Sequence, residues 1–167
     1  MPMHPRAKEA APMIMYEWKM FRPSGKMLAI LQDGKDTRRA QLSQVLNENY
    51  AGAVFLLDFL LHARNLADFL FMRPTDESDD VVAEHFFDTP AEWRAKGVEP
   101  GPYLTQHKVR IYQLLARPRF GRIEYGRLSL RKWDAHAIER EIVGGWEVFW
   151  NALTPDKQGW FDVTPPS

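Results

Sequence analysis

Asp58, His62 and Asn65 are the residues of this chain whose types and spacing most favour chemistry. At about 100° per residue they fall on one stripe of a helix. A carboxylate and an imidazole one turn apart can share a metal ion, or the carboxylate can orient the imidazole as a general base. No HExxH or ExxH spacing supplies a further metal ligand. The apolar surroundings favour a buried polar layer, in which His62 and Asn65 satisfy each other or nearby backbone groups.

Arg131 and His136 form the second constellation, an Arg followed by a His five positions later. In phosphoryl chemistry Arg131 can stabilise the charged intermediate and His136 can move a proton. The Arg and His content of the chain predicts about one such spacing by chance, so the motif has little specificity. A solvated face at the start of a helix is therefore the favoured interpretation.

Charge is segregated along the chain although it sums to zero. Residues 76–99 hold eight carboxylates against two cations, and residues 107–132 hold eight Lys or Arg against one Glu. Tyr112 and two further aromatics interleave the basic stretch, a pattern typical of nucleic-acid surfaces. The two segments also suit neutralisation of each other within the fold or across a dimer, which we favour.

The element that must position these residues is Ala51–Met72, the longest apolar run of the chain. Its length and lack of Pro predict a helix, and its apolar circumference predicts that other helices cover it. Within it, Arg64 and Asp68 are four residues apart and predict a salt bridge. The fold class expected is all-α, a bundle of about five to seven helices around this central helix, 51–72.

The domain organisation expected is one helical bundle over residues 13–153. Residues 1–12 contain three Pro and predict a disordered lead-in, and residues 154–167 predict a Pro-rich tail that is partly docked. Met13–Phe21 predicts a short helix that stops before Ser24, which would then cap a second short helix. Tyr103–Leu115 and Ser129–Leu153 are the other helices expected to pack on the central one.

Composition narrows the class of protein. The chain has no Cys, which excludes disulfides and thiolate chemistry and is typical of a reducing cytoplasm. Equal numbers of acidic and basic residues give no overall field for nucleic acid or membrane. Charged groups inside the central apolar run make a transmembrane helix costly, and the N-terminus lacks a signal-peptide pattern. We expect a soluble cytoplasmic protein without a cofactor.

The chain resembles an uncharacterised family of bacterial helical proteins. The resemblance rests on FLLHARNLADFLF (Phe59–Phe71), DDVVAEHFF (Asp79–Phe87) and a closing Trp-rich helix, and it spans about residues 50–153. That family is similar, distantly, to HEPN-type bundles, many of which are metal-independent ribonucleases that act as dimers. The resemblance implies an all-α dimer. Relatives carry an Asn-Lys…Ala-His segment at His107–Tyr112, so Tyr112 stands where the nuclease His is expected, which argues against nuclease chemistry.

The function expected is a non-catalytic helical-bundle interaction module that binds itself, as a dimer, or a protein partner through exposed aromatics such as Trp150 and Trp160. The binding residues expected lie on or near the central helix, namely Asp58, His62, Arg64, Asn65 and Tyr112. One alternative is a HEPN-like, metal-independent ribonuclease or RNA-binding protein using residues 107–132, with Arg131 and His136 as catalytic groups. The other is a metal-dependent hydrolase built on Asp58 and His62.

Overall fold

The computed structural model describes residues 4–33, 35–39, 41, 48–75, 79–115 and 133–161. These residues form helices and no strand, which confirms the all-α class. In chain order the α-helices are α1 (Ala7–Gln32), α2 (Glu48–Phe71), α3 (Pro90–Arg94), α4 (Pro102–Leu115), α5 (Ala135–Ala152) and α6 (Pro155–Gln158). Two 3₁₀ turns, Ala83–Phe86 and Gly159–Phe161, complete the described part.

Helix α2 is the central element, as its apolar sequence predicts. One side of it is buried and includes Leu56, Phe59, Ala63, Leu66 and Leu70, whereas Val54 and Leu61 on the other side are exposed, so the cover predicted around its apolar circumference is only partly formed. It packs on α1, α4 and α5. The core formed in this way continues from Ala7 to Phe161, so the packed body begins earlier and ends later than the 13–153 predicted from sequence.

Helix α1 corrects two predictions. It begins at Ala7, so a disordered lead-in over residues 1–12 is wrong for residues 7–12, and it runs unbroken through Pro12 and Pro23. A Pro inside a helix usually kinks or breaks it, which is why the sequence indicates two short helices. Here the packing of α1 on α2, α5 and the two 3₁₀ turns outweighs that cost, and Ser24 bonds back to the carbonyl of Met20 instead of capping a new helix.

Two glycines lie where another helix packs closely on α2. A Cβ on Gly25 of α1 would lie 3.0 Å from the ring of Phe59 on α2. A Cβ on Gly145 of α5 would lie 3.1 Å from the ring of Phe71. Gly145 thus permits close packing of α5 on α2, whereas a Cβ on Gly144 would have no neighbour within 4 Å.

Helices α4 and α5 are fixed to each other through the start of α4. The Glu141 carboxylate on α5 accepts hydrogen bonds from the backbone N–H groups of Tyr103 and Leu104, both at 2.9 Å. These N–H groups lack partners inside their own helix, and a carboxylate suits the positive end of its dipole. Helix α5 begins at Ala135, later than the Ser129 predicted, because the Asp134 side chain accepts from the N–H of Ala137 and caps it.

The last described residues, 154–161, return to the body, and residues 162–167 of the predicted tail lie outside the described ranges. Phe161 is fully buried and contacts the rings of Phe86, Phe149 and Trp150. Among the described helices, none combines the length and the apolar content that a membrane crossing requires.

Candidate functional site

His62 is held between two carboxylates where α1 and α2 pack. Its Nδ1 lies 2.6 Å from Oε2 of Glu17 on α1, and its Nε2 lies 3.4 Å from Oδ1 of Asp58 on its own helix. The hydroxyl of Ser24 hydrogen bonds to the other oxygen of Asp58. His62 is only 4% exposed, whereas the side chain of Asp58 is 34% exposed. We call Glu17, Ser24, Asp58 and His62 the α1–α2 polar layer.

His62 is buried, as predicted, but its partners differ from the predicted ones. The sequence suggested Asn65 or backbone groups, whereas the partners are Glu17 and Asp58. Asn65 is half-buried, and no hydrogen bond joins its side chain to the described part of the chain. Nδ1 of His62 is thus hydrogen bonded to Glu17, and Nε2 lies within ion-pair distance of Asp58, an arrangement typical of a buried polar layer.

The same geometry bears on metal binding. A structural or catalytic metal needs three or four protein ligands, and its histidine ligands offer an unprotonated nitrogen. Within the described ranges, no group of three His, Asp or Glu side chains is arranged to hold an ion. His62 and Asp58 alone would give two ligands.

On the opposite flank of α2, Arg64, Asp68 and Tyr112 form a second cluster. The hydroxyl of Tyr112 on α4 donates to Oδ1 of Asp68, and the Arg64 guanidinium lies over the Tyr112 ring at 4.5 Å. Nε of Arg64 is 3.6 Å from Oδ2 of Asp68, an ion pair of the predicted i, i+4 spacing. That Nε is buried and makes no hydrogen bond. The Nζ atom of Lys108 lies 5.7 Å from the centre of the Tyr112 ring.

The environment of Tyr112 keeps its hydroxyl protonated. Burial raises the pKa of Tyr112 well above its usual range, and the hydrogen bond to Asp68 and its negative charge add to that rise. Arg64 acts in the opposite direction without cancelling it. Tyr112 is thus a hydrogen-bond donor that joins α4 to α2.

The two residues of the nuclease alternative are not both within the described ranges. Arg131 lies outside them, and with it most of the basic stretch 107–132. His136 lies in the first turn of α5, where its side chain is exposed. No hydrogen bond or ion pair links His136 to another described residue.

Sequence reasoning missed Glu17 and Ser24, although both carry a signal. Glu17 is the one carboxylate in the apolar run Met13–Phe21, and Ser24 follows seven residues later, two helical turns on. An unbroken α1 places both on the stripe that faces Asp58 and His62. Predicting a helix break before Ser24 hid this match.

Exposed apolar side chains gather beside the polar layer. Six large hydrophobic side chains are exposed in the described ranges, and four belong to α1 and α2: Met13, Tyr16, Val54 and Leu61. Val54 and Leu61 are two turns apart on the outward side of α2, with Asp58 between them. The Tyr16 ring meets the His62 ring edge-on at 5.9 Å. We call these four residues, with Asp58, the α1–α2 face.

Two further methionines extend this face along α1. Met20 and Met27 are half-buried and continue the stripe of Met13 and Tyr16, at spacings of three, four and seven. Helix α1 therefore has two apolar stripes, one in the core and one that is exposed or half-buried and contacts α2 through Tyr16 and His62. A helix with a second apolar stripe on its surface is typical of an interaction site.

The exposed aromatics expected to bind a partner are different ones. Trp150 and Trp160 are half-buried and pack against the core, and Trp150 stacks on Trp146 at 6.2 Å. Trp146 in turn stacks on Trp18 of α1 at 4.5 Å. These Trp side chains hold α5 and α1 together, and Tyr16 is the aromatic that projects from the described surface.

Compared with known proteins, the chain matches no family profile, no curated sequence and no solved structure.

Proposed function

We propose that this protein is a non-catalytic helical-bundle module that binds a partner through the α1–α2 face. The observation that carries the proposal is the concentration of exposed apolar side chains there: Met13, Tyr16, Val54 and Leu61. Contact between water and an apolar surface of this kind is unfavourable, and the free energy falls when a partner covers that surface. The lack of Cys suits a reducing compartment, and we assign the module to the cytoplasm.

The polar layer supports binding rather than catalysis. Both ring nitrogens of His62 face carboxylates, and the hydroxyl of Ser24 is directed to Asp58 rather than to the imidazole. A serine nucleophile would need the imidazole as its base. Beneath the face, the layer holds α1 and α2 in fixed register, so the apolar side chains above it are presented on a rigid support.

The methionines of the face favour a protein partner. Met side chains are unbranched and adapt their shape to what they contact, which suits a surface that receives apolar side chains. A helix laid on such a surface contributes anchors at spacings of three, four and seven. The stripe of Met13, Tyr16, Met20 and Met27 has that period.

Selection from a displayed library of random helical peptides tests this function, because it assumes nothing about the charge of the partner. We expect peptides that bind the wild-type chain and lose at least tenfold in affinity with Leu61→Glu. Val109→Glu is the matched control, since Val109 is exposed on α4 outside the face. Peptides that bind both variants equally, or a library that yields no binder, would overturn the proposal.

A further inference from the structure

We infer that the partner of the α1–α2 face is an amphipathic helix that carries Lys or Arg among its apolar residues. The inference rests on the proposed function and adds the chemistry of the occupant. Its basis is the acidic character of the polar layer, which lies among apolar side chains at the surface.

The polar layer has more negative than positive charge. Glu17 and Asp58 are two carboxylates, and His62 supplies at most one positive charge between them. At least one negative charge therefore remains uncompensated within the layer. Asp58, with about a third of its side chain exposed, brings that charge to the surface between Val54 and Leu61.

Apolar neighbours strengthen the attraction that this charge offers. When a partner covers Tyr16 and Leu61, water leaves the surroundings of Asp58 and the local dielectric constant falls. An unpaired carboxylate in that position would be costly, and pairing it with a cation offsets much of that cost. A helix with one Lys or Arg placed opposite Asp58 satisfies it, and the partner's apolar side chains cover Leu61 and Val54.

The same charge disfavours a second copy of this chain as the occupant. In a twofold dimer the same patch meets itself, so Asp58 of each subunit would approach the other subunit's acidic layer. Like charges brought together at an interface weaken association. The face is therefore complementary to a basic helix rather than to itself.

Two synthetic peptides test the charge preference on the wild-type protein. One is a 14-residue amphipathic helix of Leu and Lys, about 20 Å long, and the other has Glu at every Lys position. We expect the Leu–Lys peptide to bind at least tenfold more tightly by fluorescence anisotropy, with a preference that shrinks as salt is raised. Equal affinities, or tighter binding of the Leu–Glu peptide, would overturn the inference.

Variants of the protein test whether Asp58 causes the preference for the Leu–Lys peptide. Asp58→Asn should remove most of the difference between the two peptides, whereas Glu147→Gln should leave it unchanged. Glu147 is an exposed carboxylate on α5, so its variant alters net charge by the same amount outside the face. Because Asp58 also contacts Ser24 and His62, circular dichroism must show the Asp58→Asn variant folded. If it is not, the two-peptide comparison on the wild-type chain decides.

The outcomes separate this inference from the proposed function. Library peptides that require Leu61 but carry no Lys or Arg would overturn the basic partner and leave the docking face supported. A dimer in sedimentation analysis that Leu61→Glu abolishes would make a second copy the occupant and also overturn the inference. Leu61→Gln removes the apolar anchor without adding charge, so binding of the Leu–Lys peptide that survives Leu61→Gln would show attachment elsewhere and count against both.

Discussion

The two flanks of α2 provide partners for their polar side chains in different ways. Toward α1, His62 is almost fully buried and each of its ring nitrogens faces a carboxylate. Toward α4, Arg64 stacks on the Tyr112 ring while its Nε makes no hydrogen bond and lies 3.6 Å from Asp68. The first flank pairs a buried imidazole with two carboxylates, one of them about a third exposed, and the second stacks a guanidinium on a ring and leaves its Nε without a hydrogen bond.

This difference indicates where polar groups stabilise the bundle. A buried charged group depends on its partners, because water cannot replace them. A partly exposed pair contributes little, since water and salt screen it. We therefore expect substitutions on the α1 flank to cost more than equivalent ones on the α4 flank.

Replacing His62 should have the largest effect. His62→Ala leaves the carboxylates of Glu17 and Asp58 together without the ring that separates them. We expect the free energy of unfolding to fall by about 3 kcal/mol in urea titrations followed by circular dichroism. His136→Ala, at an exposed position, should change it by less than about 0.5 kcal/mol. Equal effects of the two substitutions would contradict a structural role for the layer.

Gly25→Ala tests how closely α1 must approach α2 beside the polar layer. The added methyl group would lie 3.0 Å from the buried ring of Phe59, so we expect a loss of about 2 kcal/mol. Gly144→Ala is the control, because its Cβ meets nothing within 4 Å. That substitution should stabilise α5 by about 0.5–1 kcal/mol. A stabilised Gly25→Ala variant would show that α1 can move away without cost.

Tyr112→Phe tests the α4 flank. It removes the hydrogen bond to Asp68 and keeps the ring under Arg64. We expect a loss of about 1 kcal/mol, smaller than for His62→Ala. A loss as large as that of His62→Ala would reverse the order of the two flanks.

The pH dependence should show the smallest effect. The pKa of Tyr112 is raised above its ordinary value of 10.0 by burial and by Asp68, so the folded state keeps the proton longer than the unfolded state. The stability that Tyr112 contributes is complete below pH 10 and is lost as pH rises through the raised pKa. Urea titrations at about pH 8 and about pH 10.5 should show a greater loss for the wild-type chain than for Tyr112→Phe. Parallel losses would contradict this.

The sequence predicts what depends on local pattern. The apolar sequence of α2 predicts its central position, and the helical spacing of Ile138, Ile142, Trp146 and Phe149 matches the buried side of α5. Thr89 and Glu92 have the spacing of a capping box, and Glu92 does bond back to the Thr89 N–H. Each of these signals lies within one helix.

What the sequence could not predict depends on contacts between distant segments. Pro23 and Gly25 read locally as a helix break, and only the packing of α1 on α2 shows why the helix continues. The same error explains why the sequence did not predict the partners of His62, because Glu17 and Ser24 share a stripe only if α1 is unbroken. Periodicity alone also does not reveal which aromatics project, as Trp150 and Tyr16 show.

Methionine methyl NMR tests the docking face most directly. With ¹³C-labelled Met methyl groups and the unlabelled Leu–Lys peptide, we expect shifts at Met13, Met20 and Met27. Met15 serves as the internal control, because it belongs to the same helix but packs against the core. Shifts confined to the first three would support the face, and they should disappear in Leu61→Gln, which removes the apolar side chain without adding a charge that attracts Lys. Shifts at Met15 alone, or at no methionine while the peptide is bound, would contradict it.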